Sequence, residues 1–335
     1  MKTLEEIFKK YDHPLENLNL KESNCFLCGI DMGNQVTQED LFPKWLQRKH
    51  NLWNQKLILL NGTSINYSQL KIPCCAKCNN EYLSRLENTI SNAINAGYKA
   101  TLELDDKLIF YWASKILFGI IRKELTLLLD RSSPDFGTIV TKDLVESYDN
   151  LHAFIQGIRR KMIFVDHLPF SVLITNLHDL GDPTNFSFRD SILGKTFGLR
   201  SGEVGIIVAT SDAGLNNFSY ARYLKDVNGR KLHPIQFDEL FAKVTYESLR
   251  LTKDPTFTIV SNKDSELPVH IITHIPYMKL KDWDNNEFSR LLGDVLSKWG
   301  LSKEELFVPP NKIYTYMTNE DGSMTFIDKN DDVII

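Results

Sequence analysis

Five cysteines lie within the first 78 residues, and their spacing favours a metal site. They form two C-x2-C pairs, Cys25/Cys28 and Cys75/Cys78, with Cys74 as the odd member. The two-residue gap lets both sulfurs of a tight knuckle face one ion, and two knuckles supply the four sulfurs that suit tetrahedral Zn²⁺. We therefore assign Cys25, Cys28, Cys75 and Cys78 to a structural zinc and Cys74 to a small buried thiol. The alternative is that all five are buried as small hydrophobic residues.

A zinc ion with four sulfur ligands has no open position for a substrate, so any chemistry must come from residues that the zinc holds in place. The two knuckles would tie the loop that contains Glu39 and Asp40 to the start of a helix at Asn79. A region of about 60 residues with few apolar contacts is only marginally stable on its own. Metal binding would therefore supply part of its folding free energy.

The segment as a whole resembles the HNH (ββα-metal, His-Me finger) endonucleases. The resemblance rests on Cys25-x2-Cys28-Gly, on TQEDLFPKWL at 37–46 and on IPCCAKCNN at 72–80. It is most similar to the bacterial branch with zinc knuckles around an E-H-I-F-P-x-W-L-like motif and a C-x2-C-N helix start. It covers about residues 22–90, a quarter of the chain.

This resemblance implies an α+β protein that begins with a zinc-stapled ββα finger. It implies a metal-dependent endonuclease acting on nucleic acid, with DNA the expected substrate, in bacterial defence or mobile elements. Carried over residue by residue, Glu39 matches the acid and Asn79 the helix residue that hold a divalent ion, Mg²⁺ or Mn²⁺. Asp40 occupies the place of the catalytic histidine, so Glu39, Asp40 and Asn79 are the candidate catalytic and metal-binding residues.

Asp40 is a departure from the family pattern, and three interpretations remain open. The unperturbed pKa of a carboxyl is near 4, against about 6.5 for histidine, so Asp is the poorer general base at neutral pH. Asp40 could be a working substitute or a second ligand for the divalent ion, since oxygen donors suit Mg²⁺. The module could instead have lost cleavage and kept a nucleic-acid-binding or regulatory role. Another residue could supply the base in place of Asp40. His50 is the nearest candidate in sequence, although it also fits a solvated residue in a basic run.

Three cations follow the motif and are candidates for nucleic-acid binding. Lys44, Arg48 and Lys49 could contact phosphates beside the metal. The competing interpretation is an ordinary exposed helix face.

Composition limits the class of protein. The chain has 335 residues, of which 42% are apolar and 24% charged, and this excludes a wholly disordered chain. The net charge of −4 excludes a protein that coats nucleic acid by bulk charge, but leaves room for a local basic groove.

The segment 108–121 is too short to span a membrane and contains Lys115, so it predicts a buried helix. No secretory signal is present, and we expect a cytoplasmic protein.

The surrounding elements predict three regions. Residues 1–20 form a lead-in helix, residues 21–98 the HNH-like zinc-binding module, and residues 99–335 a larger mixed α+β domain. The pattern predicts helices from Asn79 to about Gly97, over 105–130 and over 142–161, followed by strands and amphipathic helices. The last region carries no recognisable cofactor motif, and it could bind a ligand or a protein partner.

Overall fold

The chain combines helices with several small sheets. The computed structural model describes residues 23–34, 36–181, 185–260, 267–275, 279–319 and 321–331, so the predicted lead-in helix lies outside the described residues. The helices are α1 (Lys44–Lys49), α2 (Ser84–Ala96), α3 (Tyr98–Leu102), α4 (Asp106–Glu124), α5 (Lys142–Glu146), α6 (Asp149–Ile155), α7 (Leu215–Val227), α8 (Pro234–Leu249), α9 (Asn285–Leu296) and α10 (Lys303–Leu306). The strands are β1 (Thr37–Asp40), β2 (Lys56–Ile58), β3 (Ser64–Asn66), β4 (Lys71–Cys74), β5 (Met162–Val165), β6 (Ser171–Asn176), β7 (Phe186–Ser191), β8 (Thr196–Ser201), β9 (Val204–Ala209), β10 (Thr256–Val260), β11 (Val269–His274), β12 (Phe307–Val308) and β13 (Lys312–Ile313).

The chain divides into two compact units that alternate along the sequence. The first comprises Met1–Asn92, Asp105–His167 and Phe257–His274, and the second comprises Ala93–Leu104, Leu168–Thr256 and Ile275–Ile335. The sequence predicted one domain boundary near residue 98, with all later residues in the second domain. The structure instead places α4 in the unit that holds the cysteines. The physical reason is that α4 is apolar on nearly every side and must be covered by other elements.

The first unit contains a ββα arrangement around the cysteines. Strands β1 and β4 pair antiparallel with Thr37 opposite Cys74 and Asp40 opposite Lys71. In the sequence, the β2–β3 hairpin lies between these two strands. A π-helical turn (Cys78–Leu83) follows β4 and leads into α2. The turn and α2 together match the helix predicted from Asn79 to about Gly97.

Helix α4 lies close behind this arrangement. The side chain of Asp105 caps its first turn by accepting a hydrogen bond from Lys107 N at 2.9 Å. Gly119 has no side chain where a Cβ would lie 2.1 Å from Leu41 Cδ2, so the helix can approach the end of β1. At the other end, Glu124 accepts a hydrogen bond from Leu60 N at 2.9 Å, which ties α4 to the β2–β3 hairpin. The long apolar helix predicted for 105–130 is confirmed, although it ends at Glu124.

A three-stranded sheet of order β10-β11-β5 completes the first unit, with β11 parallel to β5. Aromatic rings join this sheet to the helices. Phe154 of α6 lies 5.0 Å from Phe257 of β10, and Phe110 of α4 lies 6.4 Å from Phe164 of β5. The sheet is therefore part of the same core as α4 and α6.

The helix predicted over 142–161 is interrupted. The structure has two short helices, α5 and α6, followed by a 3₁₀ turn (Gln156–Ile158). Ser147 lies at the break, and its hydroxyl donates to Leu144 O at 2.6 Å. A side chain that bonds to nearby backbone competes with the helical hydrogen-bond ladder, which explains why the apolar periodicity alone overestimated the helix.

The second unit is built on an antiparallel sheet of order β6-β9-β8-β7. Helix α8 packs on this sheet, and its Phe237 and Phe241 belong to the same buried cluster as Leu173 and Ile207 of the sheet. Within the described residues, no helix has both the length and the apolar character needed to cross a membrane.

Candidate functional site

Four cysteine sulfurs converge as the spacing predicted. The Sγ atoms of Cys25, Cys28, Cys75 and Cys78 all lie within 4.8 Å of one another. The distance from Cys28 Sγ to Cys75 Sγ is 3.8 Å, which equals the separation of about 3.8 Å expected for tetrahedral ligands 2.3 Å from zinc. The four residues could therefore hold a metal ion such as zinc. Cys74 is fully buried, lies 4.0 Å from Cys25 Sγ and is outside the set of four.

Backbone hydrogen bonds shape the two knuckles. In the first, Gly29 has a positive φ of 74°, which glycine adopts readily, and its N–H donates to Cys25 O at 2.9 Å. The same knuckle is joined to β4 because Phe26 N donates to Pro73 O at 2.9 Å. In the second knuckle, Cys78 N points to Cys75 Sγ at 3.4 Å.

Helix α6 and the 3₁₀ turn that follows it contact the first knuckle. His152 Nε2 lies 3.1 Å from Phe26 O, and Gln156 Nε2 donates to Leu27 O at 2.7 Å. Burial lowers the pKa of His152 to about 4, so its ring is neutral at physiological pH and donates from Nε2. The sequence analysis missed both residues because they lie more than 120 positions from the cysteines that they support.

The crowded thiols shift one another's pKa values in opposite directions. Hydrogen bonds from Cys28, Cys74 and Cys78 hold the pKa of Cys25 far below its usual range. The neighbouring Cys25 in turn raises the pKa of Cys28 to about 11 and that of Cys78 further. The cluster thus favours one thiolate and resists a second. Binding of a divalent cation by four thiolates would therefore release protons.

A cavity of about 390 Å³ lies at the end of β1 and the start of the helix. Glu39, Asp40 and Asn79 all line it, so the three residues matched through the resemblance share one space. The lining also includes Lys44, Trp45 and Glu87. We call this space the carboxylate cavity.

Lys115 is the central cation beside this cavity. Its Nζ lies 2.5 Å from Glu39 Oε1 and 2.8 Å from Glu87 Oε1, and the lysine side chain is completely buried. The same ammonium donates to the carbonyl oxygens of Asp40 at 3.1 Å and Leu41 at 3.3 Å. Four oxygens therefore surround one positive charge.

The two carboxylates keep this lysine charged. Burial alone would lower the pKa of Lys115, but the charges of Glu39 and Glu87 outweigh it and raise the pKa above its usual value. Burial raises the pKa of Glu87 to about 7, opposed by the charge of Lys115. A lone lysine in the apolar run 108–121 was the sequence signal for this role, because a fully buried lysine needs carboxylate partners.

Asp40 is held differently from Glu39. Its Oδ1 lies 3.6 Å from Lys71 Nζ and its Oδ2 lies 3.8 Å from Lys44 Nζ, and both separations exceed ordinary hydrogen-bond lengths. Oδ1 is buried and accepts no hydrogen bond from the part of the chain that the structure describes. Asn79 donates from Nδ2 to Gln38 O at 3.2 Å, which leaves its amide oxygen available. Such oxygens fit a small divalent cation.

The remaining candidates are distributed unevenly. Lys44 lines the carboxylate cavity, whereas Arg48 and Lys49 are exposed at the last turn of α1. His50 is only 4% exposed and is not among the lining residues of that cavity. The interpretation of His50 as a solvated residue was therefore wrong. His50 directly follows the short helix α1, and its side chain is buried. Trp45 lines the cavity and stacks on Trp112 of α4 at 6.4 Å.

No family model, no curated protein and no solved structure matches this chain. The resemblance to HNH endonucleases therefore stays a prediction from the sequence motifs.

Proposed function

We propose that the first unit is an HNH-like, metal-dependent endonuclease that hydrolyses phosphodiester bonds in nucleic acid, with DNA as the expected substrate. The observation that carries this proposal is the carboxylate cavity, where Glu39 and Asp40 from the end of β1 meet Asn79 from the start of the helix. The strand pair β1–β4 and the following helix supply the ββα order that the motif implies. The four clustered cysteines would bind a structural Zn²⁺ that holds the strands and the helix together.

A divalent ion fits the donors of this cavity. Asp40 offers a buried carboxylate oxygen with no hydrogen bond from the described residues, and Asn79 offers an amide oxygen. Mg²⁺ or Mn²⁺ bound there would supply a positive charge for the phosphate oxygens. Lys115 contacts Glu39 and holds it at the end of β1, while the exposed Lys44 offers a cation for a neighbouring phosphate.

A second candidate is a nucleic-acid-binding or regulatory protein that no longer cleaves. The observation that favours it is the pairing of Lys115 with Glu39 and Glu87, because this ammonium already provides Glu39 with the positive charge that a divalent ion would supply. Asp40 is likewise placed between Lys44 and Lys71. In this alternative the cavity would keep its shape without a catalytic metal.

Incubation of the purified protein with plasmid, single-stranded DNA and RNA separates the two candidates. Each substrate is tested with Mg²⁺, Mn²⁺ and EDTA, using wild type, Asp40→Asn and the exposed control Asp135→Asn. Metal-dependent cleavage that Asp40→Asn removes and Asp135→Asn retains supports the endonuclease. Binding without cleavage supports the second candidate, and neither binding nor cleavage contradicts both.

A further inference from the structure

A second cavity, of about 350 Å³, is lined by residues of β1, β4 and the last turn of α4 and has a basic lining. Among the residues that the structure describes, the charged ones that line it are Lys71, Arg122 and Lys123, with no carboxylate. The polar residues Ser23, Gln38 and Thr126 complete the polar part of the wall. Three positive charges around one concave space stand out in a chain whose net charge is −4. We call this space the basic cavity.

The cations come from separate elements. Lys71 belongs to β4, whereas Arg122 and Lys123 belong to the last turn of α4. Cations in a last turn also compensate the helix dipole, and that would explain Arg122 and Lys123 alone. It does not explain why Lys71, from a strand, faces the same space. Arg122 is only 3% exposed, so its guanidinium is held by the surrounding protein and is not a freely solvated surface charge.

The two cavities adjoin one another across β1. Gln38 lines both of them. Lys71 lines the basic cavity and lies 3.6 Å from Asp40, which lines the carboxylate cavity. A chain of phosphates that enters the basic cavity would therefore pass the carboxylates at the end of β1. Arginine and lysine are the side chains that bind phosphates, arginine through its planar fork and lysine as a point charge.

We propose that the basic cavity binds a backbone phosphate of the nucleic acid, next to the phosphodiester that lies in the carboxylate cavity. This inference rests on the proposed function and names the contact that positions its substrate. Lys71 would then have a double role, because it contacts the phosphate and also places a positive charge 3.6 Å from Asp40. Backbone contacts of this kind set the position of a strand and carry no base preference.

Binding without a catalytic metal tests this inference separately from cleavage. The affinity for a labelled DNA duplex and a labelled single strand is measured by fluorescence anisotropy on zinc-loaded protein without added Mg²⁺ or Mn²⁺, between roughly 50 and 200 mM salt. Lys123→Gln should weaken binding several-fold at the lower salt and reduce the slope of log K against log [salt] by about 0.9 for duplex, as expected for one lost phosphate contact. The matched control is Lys142→Gln, an exposed lysine on α5.

A second variant tests the same cavity in case Lys123→Gln alone changes DNA binding too little to measure. Thr126→Glu places a negative charge at the exposed edge of the basic cavity and should weaken binding more than Lys123→Gln does. Circular dichroism and the thermal midpoint verify that both variants fold. If both bind DNA with the affinity and salt slope of Lys142→Gln, the inference is overturned, even where cleavage persists.

Competition identifies the ligand. Inorganic phosphate that displaces the labelled DNA from wild type, but much less from Lys123→Gln, supports a phosphate site. If phosphate binds and neither DNA nor RNA binds, the basic cavity is a site for small anions and the inference is wrong. If nucleic acid binds through this cavity but no metal produces cleavage, the inference stands and the proposed endonuclease fails.

Discussion

Lys115 is the residue on which the carboxylate cavity depends most directly. Its ammonium is in contact with both Glu39 and Glu87 and has no exposure to solvent. Removing one partner of a buried ion pair leaves an uncompensated charge, which typically costs about 3–5 kcal/mol. We expect Lys115→Met to lower the free energy of unfolding at pH 7 by this amount, measured by urea denaturation.

A double variant distinguishes the lost charge pairing from lost packing. Adding Glu39→Gln to Lys115→Met removes one of the stranded negative charges, so part of the stability should return. Lys107→Met, near the start of the same helix and partly exposed, is the control and should cost little. Equal losses for Lys115→Met and Lys107→Met would contradict the role assigned to Lys115.

Substitutions of Asp40 distinguish a residue at the position of the general base from a ligand of the divalent ion. If its side chain stands where a base must act, Asp40→His should raise or create metal-dependent cleavage, since general-base catalysis contributes about 10²–10⁴-fold. If Asp40 is a metal ligand, Asp40→His and Asp40→Asn should both reduce cleavage and Mn²⁺ affinity. Initial rates on plasmid and Mn²⁺ titration measure the two effects. Unchanged cleavage rates and Mn²⁺ affinities in both variants would show that residue 40 is not part of an active site. The roles assigned to Glu39 and Asn79 would then be wrong as well.

His152 predicts an acid-dependent loss of stability. Its pKa is about 4 in the folded chain because it is buried, against about 6.5 when unfolded. Between these values the unfolded chain binds the extra proton, so stability falls as the pH falls from about 6.5 to about 4, by up to about 3 kcal/mol. We expect the difference in unfolding free energy between pH 7 and pH 5 to be smaller in His152→Asn than in wild type. The same pH dependence in both proteins would show that His152 is not buried as a neutral ring.

At the scale of elements, the two knuckles join three pieces of structure. The first knuckle is hydrogen-bonded to β4 and α6, and the second leads into the π-helical turn before α2. Loss of a metal ligand should therefore disturb several elements together.

Metal analysis with matched cysteine variants tests this arrangement. We expect about one zinc per wild-type chain, and loss of both zinc and the fold of the first unit in Cys78→Ser. Cys74→Ser is the control, because Cys74 is buried beside the four ligands but lies outside their set, and it should keep the metal. Less than about 0.5 zinc per chain, with Cys78→Ser as stable as wild type, would contradict a structural zinc.

Local patterns predicted the elements better than they predicted their partners. The apolar stripe after Asn79, the apolar run around Lys115 and the strands of the second unit correspond to observed elements. The cysteine set was predictable because C-x2-C spacing is a local constraint that already specifies the geometry. The pairing of Lys115 with Glu39 was not, because nothing in either local sequence states which helix covers the end of β1. The break at Ser147 depends on one side-chain hydrogen bond, which hydrophobic periodicity does not detect.

At the scale of the whole molecule, the first unit is assembled from separated parts of the chain. The segment that the resemblance covers ends near residue 90, yet Lys115 of α4 pairs with Glu39 and Glu87 of the carboxylate cavity. The last turn of α4 lines the basic cavity. The predicted module 21–98 therefore lacks the lysine that neutralises Glu39 and Glu87. A boundary drawn from the motif alone omits part of the candidate site.

A truncation series tests this dependence. We expect a fragment of residues 1–98 to show no cooperative unfolding transition even with excess zinc, because Glu39 and the apolar residues behind β1 lose their cover. A fragment of residues 1–167, which restores α4 and α6, should gain helical signal and a transition on adding zinc. Circular dichroism during urea titration measures both. Cooperative folding of the shorter fragment would mean that the finger is independent of α4.

The parallel pairing of β11 with β5 has a consequence for synthesis on the ribosome. Residues 162–165 must wait for residues 269–272 before this pairing can form. At about 5–20 residues per second, the roughly one hundred intervening residues take about 5–20 s to translate. During that interval the ring of Phe154 lacks its partner Phe257, which belongs to β10. The first unit, and with it the proposed nuclease, would therefore be complete only when most of the polypeptide has been made.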